Sequence, residues 1–273
     1  MGIGRREFIK GSTAVVVAAG LPACREPDSE PAIPHRHIDR EACSGCGSCE
    51  PLCPMGAISV LETASIDPDE CAECGVCWRS RVCPEDAIKP GRLQWPRLLR
   101  EVYSNPLAEH ESTGVPGRGT EGIKTNDAKT RYRRGFMGVF VELGRPVLGA
   151  RFRDVERVVM RFRARGYEVI SGNPVCELIA DPSTGALDPE VLDEKVISAL
   201  VEFVLPEAAA SELLKIAREL SGEVDTVFNV SVALRANSDG SSPFTSLFGP
   251  DVFSLPGGKV NIGLAAGIGG QES

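Results

Sequence analysis

Cysteine is the residue whose spacing in this chain points most directly to chemistry. Of ten cysteines, eight fall between residues 43 and 83. The first four read C-x2-C-x2-C-x3-C-P, carried by Cys43, Cys46, Cys49 and Cys53-Pro54. The second four read C-x2-C-x2-C-x5-C-P, carried by Cys71, Cys74, Cys77 and Cys83-Pro84. Setting Ile38-Asp39 beside Ile66-Asp67 aligns the copies as an internal repeat of 28 residues, with Ala57-Ile58 falling on Ala87-Ile88 after a two-residue insertion. Dense, regularly spaced cysteine is either a disulfide framework or a metal site. Zinc sites use pairs of cysteines and have no use for the third cysteine or for the C-P. Cysteines two residues apart would strain to pair locally as disulfides.

Over residues 38–90 the chain resembles the bacterial two-cluster ferredoxin family. The resemblance implies two [4Fe–4S] clusters, each held by three thiolates of one tight loop and a fourth from the other copy. Carried over by position, the first cluster takes Cys43, Cys46, Cys49 and Cys83, and the second takes Cys71, Cys74, Cys77 and Cys53. Pro54 and Pro84 would turn the chain away, while Gly45, Gly47 and Gly75 would let backbone N–H groups approach sulfur. The insertion between Cys77 and Cys83 carries Arg79 and Arg81. Positive charge near Cys83 is expected to favour the reduced form of the first cluster and raise its potential.

Other candidate chemistry is sparse. No Ser-His-Asp, Cys-His or paired-carboxylate constellation can be assembled, and beyond the linker His110 is the only histidine. Gly117-Arg118-Gly119-Thr120-Glu121-Gly122 matches G-x-G-x-x-G, but no strand precedes it and no helix clearly follows, so it fails as a dinucleotide site. His35 and His37 read as solvated linker residues and Cys176 as a small buried apolar one. Ten arginines between Arg131 and Arg165 could dock an acidic partner or form a solvated helix face.

The first 24 residues read as an address. Arg5-Arg6-Glu7-Phe8-Ile9-Lys10 resembles the twin-arginine signature of the route that exports folded proteins. An apolar run of about 11 residues, Gly11 to Leu21, is too short to span a bilayer as a helix. Leu21-Pro22-Ala23-Cys24 resembles a lipobox, in which Cys24 would be lipidated, although Pro22 is an unusual occupant. Clusters are built in the cytosol, so an exported cluster protein must travel folded, and the two signals support each other. The expected location is therefore periplasmic or extracytoplasmic, tethered to the membrane if Cys24 carries a lipid.

The net charge of −8 disfavours a nucleic-acid binder, and removing residues 1–24 takes away +2, leaving −10. Residues 25–37 carry three prolines and read as a linker. Residues 38–90 form the cysteine domain, 91–130 a short helix and a loop, 131–236 an α+β domain, and 237–273 a loop-rich tail with an edge strand expected at 258–267. Within the α+β domain, strands are expected at 136–143, 167–170 (resumed at 175–179), 196–205 and 224–234. Val155, Val158, Val159 and Phe162 line one helix and Leu213, Ile216, Ala217 and Leu220 another. That order is βαββαβ, a ferredoxin-like sandwich of a kind also used by small ligand-binding and dimerising domains of the ACT type.

The fold class expected is thus α+β, a small 2[4Fe–4S] ferredoxin domain followed by a ferredoxin-like sandwich. The function expected is a membrane-tethered relay of single electrons, an accessory subunit or partner of an oxidoreductase rather than an enzyme with substrate chemistry of its own. Redox proteins, the membrane and, through the C-terminal domain, a second copy are the expected partners. The alternative is a redox-linked sensor whose C-terminal domain binds a small ligand.

Overall fold

Two copies of one sequence that fold alike can exchange segments, and this repeat does so. The computed structural model describes residues 33–120, 132–249 and 252, which belong to one compact unit, Ile33–Ser273. Arg5, Arg6 and Cys24, most of the loop before residue 131 and the edge strand expected at 258–267 lie outside the described residues. The cysteine-rich part contains β1 (His37–Ile38), β2 (Ile58–Val60), β3 (Ala64–Ile66), a one-turn helix α1 (Val76–Arg79) and β4 (Ile88–Lys89). β1 pairs antiparallel with β4, and β2 with β3, so each small sheet joins one copy to the other. The same bonds recur in both: Asp39 N–H donates to Ala87 O and Asp67 N–H to Ala57 O, each at 2.8 Å, while Cys43 and Cys71 N–H donate to Asp39 and Asp67 O at 3.0 Å.

After α2 (Leu98–Ser104) comes a larger α+β region. Its elements are β5 (Phe136–Leu143), β6 (Ala150–Arg151), α3 (Phe152–Arg163), β7 (Ile179–Asp181), β8 (Ala186–Leu187), β9 (Lys195–Val196), β10 (Ala199–Pro206), α4 (Ala210–Leu220), β11 (Phe228–Ala233) and α5 (Phe244–Phe248). The main sheet is antiparallel in the order β10-β5-β11. Alternation explains its two faces. Met137, Val139, Val141 and Leu143 of β5 join Val201, Phe203 and Leu205 in the main core, with Val155, Val158, Val159 and Phe162 of α3 and Leu213, Ile216 and Leu220 of α4. Phe140 and Leu200 point the other way, against Tyr132. Phe162 stacks on Phe203 with ring centroids 3.9 Å apart.

Three expectations need correction. The strand expected at 167–170 is reduced to one bridge, Val169 to Phe203. Residues 174–178 form a 3-10 helix because Asn173 caps Val175 N–H at 3.0 Å and Pro174 has no N–H for a ladder. The segment after residue 236 is not all loop, since α5 buries Phe248 against the core. Helix α2 turns Leu99 and Tyr103 inward and leaves Leu98 exposed. Among the described residues no helix is long and apolar enough to cross a membrane.

Arg100 on α2 joins the two regions. Its Nη1 donates to the carbonyls of Pro68 (3.1 Å), Asp69 (2.7 Å) and Cys71 (3.0 Å), and its Nε donates to Glu194. Arg151 pairs with Asp69 at 2.7 Å, Lys195 pairs with Glu70, and Val147 N–H donates to Pro54 O at 2.6 Å. Ile197 packs on Met55, Ala57, Cys71 and Ala72. The second cysteine triplet is thereby built onto the α+β region.

Candidate metal centre

Each triplet sits on a tight loop whose backbone turns through left-handed conformations. Gly45 (φ 69°) and Gly47 (φ 77°) do so in the first copy, Glu73 (φ 53°) and Gly75 (φ 69°) in the second. A Cβ on Gly45 would stand 2.2 Å from Glu62 O, so only glycine fits there. The fourth cysteine of each copy is held by one repeated contact. Ala57 N–H donates to Cys53 Sγ and Ala87 N–H to Cys83 Sγ, both at 3.2 Å. Ala64 N–H reaches Cys43 Sγ at 3.4 Å.

The interlacing brings thiols of the two copies together. One small cavity is lined by Cys53, Cys71, Cys74 and Cys77, three from the second copy and one from the first. Cys49 is buried in a small apolar cluster against which Cys43, Cys53 and Cys83 also pack. The four that share the cavity are those that the resemblance assigns to the second cluster. Among the described residues no three His, Cys, Asp or Glu side chains converge tightly enough for one metal ion. Thiols bonded to separate irons of a cubane have no need to converge on one point.

The quartets differ in surroundings. Cys71, Cys74 and Cys77 are buried, and burial pushes the Cys71 thiol up to about 12 and Cys77 up to about 11. Cys46 is exposed, and hydrogen bonding with the backbone and side chain of Ser48 holds its thiol below its ordinary value. Burial of thiols without a partner opposes the thiolate form, and metal supplies the compensating charge.

Spacing gives no hint of a set of charged residues around the second quartet. Arg36 is 4% exposed and lines the same cavity as the four thiols. Fully buried Glu73 accepts from Arg97 Nε (2.9 Å) and Nη2 (2.7 Å) and from Arg36 N–H (3.2 Å), and lies 3.7 Å from Arg36 Nε. Arg36 Nε and Nη1 are buried with no hydrogen-bond acceptor. Two unmatched guanidinium donors beside four thiols fit a negatively charged group rich in sulfur acceptors. Residues 33–37, expected as linker, are part of this folded unit.

The expectation for Arg79 also needs correction. Arg79 lies over the second triplet, donating to Cys74 O at 2.6 Å and to Asn105 Oδ1 at 2.8 Å. The reason is local: α1 makes one full turn, Arg79 N–H to Gly75 O at 2.9 Å, and swings the side chain back over the loop that starts it. The first copy uses a tighter 3-10 turn at Glu50–Leu52, and the wider α-turn takes up part of the insertion.

The remaining candidates have structural roles. Six of the ten clustered arginines are spent on ion pairs: Arg151 with Asp69, Arg153 with Asp193, Arg157 with Asp154 and Asp225, Arg161 with Glu223, Arg163 with Glu168 and Arg165 with Glu219. His110 contacts Gly117 O at 2.8 Å and packs edge-on against Tyr103, so the glycine-rich segment is tied down by a buried ring. Half-buried Cys176 donates to Ile170 O at 3.3 Å.

Interlaced cysteine loops that gather thiols in fours define a ferredoxin-type iron–sulfur domain. Residues 36–59 match the family described as 4Fe-4S binding domain. The chain is 44% identical over 59 residues to the "Ferredoxin-like protein in vnf region" of Azotobacter chroococcum, covering 19% of this chain and 89% of that protein. Through this segment the chain belongs to the ferredoxin-like proteins with a 4Fe-4S binding domain. It is also 39% identical over 67 residues to a component of the ion-translocating oxidoreductase complex of Methanosarcina acetivorans, covering 24% of each chain. With the "Dihydromethanopterin reductase (acceptor)" of Methanosarcina mazei it shares 36% over 100 residues, 35% of this chain and 38% of that one. The chain thus spans about a quarter to two fifths of those two longer relatives. No solved structure matches.

Proposed function

We propose that this protein carries two [4Fe–4S] clusters and passes single electrons between redox proteins on the outer side of a membrane. The observation that carries the reading is the interlaced repeat, in which Cys53 of the first copy lines one small cavity with Cys71, Cys74 and Cys77 of the second. Cys43, Cys46, Cys49 and Cys83 hold one cluster, and Cys53, Cys71, Cys74 and Cys77 the other. Each cluster, when bound, stores one electron at a time. The chain's own work is to fix the thiols in rigid loops, to donate N–H bonds to Cys43, Cys53 and Cys83, and to keep water from the second quartet. The names of longer relatives, which are components of oxidoreductase complexes, favour a role as partner or accessory subunit. Reductive titration should take up about two electrons per chain and return them to a one-electron acceptor. Uptake without return would overturn the relay.

Export rests on Arg5, Arg6 and the apolar run, and tethering on Cys24. Mass spectrometry of the mature N-terminus should find a lipidated Cys24, and Arg5→Lys with Arg6→Lys should hold the protein in the cytoplasm. We read the α+β region as a βαββαβ sandwich whose second strand has shrunk to the Val169 bridge, supported by the order β10-β5-β11. Its β11 is the outer strand of the sheet and would suit pairing with a second copy. One cleft favours the sensor alternative. It is lined by Arg118, Glu142, Arg145, Ser198 and Asn229, with Glu142 accepting from Arg118 and Asn229 at 3.0 Å each. Thermal stabilisation of the full chain by small carboxylates would favour that role.

A further inference from the structure

We propose that Arg36 sets the reduction potential of the cluster held by Cys53, Cys71, Cys74 and Cys77, raising it relative to the same site without the charge. The inference rests on the two-cluster reading and concerns the difference between the two sites.

Arg36 occupies an unusual place. Its side chain is 5% exposed and shares a cavity wall with all four thiols of this quartet. Its Nη2 stands 3.4 Å from where a Cβ on Gly75 would be, directly after Cys74, and Arg79 Nη1 stands 2.6 Å from the same point. A side chain at Gly75 would therefore push both guanidiniums away from the loop.

Position is enforced from behind. Arg36 N–H and Arg97 both bond to Glu73 Oε1, and Trp78 lies under the Arg36 guanidinium, 5.6 Å from its carbon to the ring centroid. Arg97 offsets the single charge of Glu73, which leaves the charge of Arg36 on the cavity wall beside the thiols. A cluster gains one negative charge when reduced. Burial in a poorly polarisable site opposes that gain, and a fixed cation in the same site favours it.

Arg36 is therefore a positioning and tuning residue, and Glu73 opposes it in sign. The test is an EPR-monitored redox titration of the full-length protein with its clusters in place. Arg36→Gln should move one of two midpoints to lower potential and leave the other in place. Arg36→Lys should recover part of the shift, and Glu73→Gln should move the same midpoint upward. Opposite shifts from neutralising opposite charges separate tuning from a loss of packing, which would move both variants the same way or release iron. No shift in Arg36→Gln with iron retained, or equal shifts of both midpoints, overturns the proposal. If Arg36→Gln loses iron, the signs in Arg36→Lys and Glu73→Gln decide it. A wild-type protein with a single midpoint and one cluster refutes the carrier reading instead.

Discussion

In the first copy of the repeat the left-handed residue between Cys43 and Cys46 is Gly45, pressed against a carbonyl. In the second copy the same place, between Cys71 and Cys74, holds Glu73, buried and gripped by two arginines. A non-glycine residue held in that conformation costs about 1–3 kcal/mol. The chain tolerates it because Glu73 organises Arg36 and Arg97 on one side, while Arg100 bonds the carbonyls before and at Cys71. One backbone plan thus serves two environments: a loop with an exposed thiol, and a loop built into the rest of the protein. Repetition supplies the ligands, and the residues around them differentiate the sites.

Ligand loss should separate the copies most strongly. Cys74→Ser should remove about half the iron and also lower the urea midpoint, because the second quartet is continuous with the α+β core. Cys46→Ser should cost iron at the exposed site with little change in midpoint. Equal effects on the midpoint would break the comparison.

Arg100→Ala comes next. It frees three carbonyls and leaves Glu194 without its partner, a loss of about 3–5 kcal/mol for a buried pair. Urea denaturation should show it, and a chelator should strip iron faster from the second site alone. Glu73→Gly gives the second copy the first copy's residue. Relief of backbone strain, about 1–3 kcal/mol, offsets part of the roughly 3–5 kcal/mol lost with the buried pairs, for a net destabilisation of about 2 kcal/mol. A gain in stability would show that the arginines contribute nothing there. The smallest effect belongs to Ser48→Ala. Cys46 Sγ lies 3.6 Å from Ser48 Oγ, and loss of that contact should lower the potential of the first site alone, with stability changed by no more than about 1 kcal/mol.

Much of this site can be read in the chain before folding. The cysteine spacing and the 28-residue period mark the two triplets, and the exchange of a fourth thiol between the copies is what the resemblance to two-cluster ferredoxins implies. The helix faces at Val155–Phe162 and Leu213–Leu220 follow from their 3.6-residue period, and the strands expected at 136–143 and 196–205 from their apolar runs, the second running from Ala199 to Pro206 in the fold. What cannot be read has physical reasons. Arg36 meets Glu73 across 37 residues, and no local pattern announces a contact at that range. The insertion's position suggests that Arg79 stands near Cys83, and one turn of helix sends it back to Cys74. The strand at 167–170 fails because Asn173-Pro174 begins a 3-10 turn that a period-2 count does not register. The arginine-rich stretch reads as a docking patch only until its carboxylate partners, up to 82 residues away at Asp69, come into view.

The central claim is that both quartets hold a cluster and that the two sites lie in one electron path. Iron and acid-labile sulfide should be counted on anaerobically purified protein, with EPR of the dithionite-reduced form. About eight irons and eight sulfides per chain, with a spectrum broadened by two interacting spins, is the result predicted. About four irons and a single uncoupled spin, or zinc in place of iron, would contradict it.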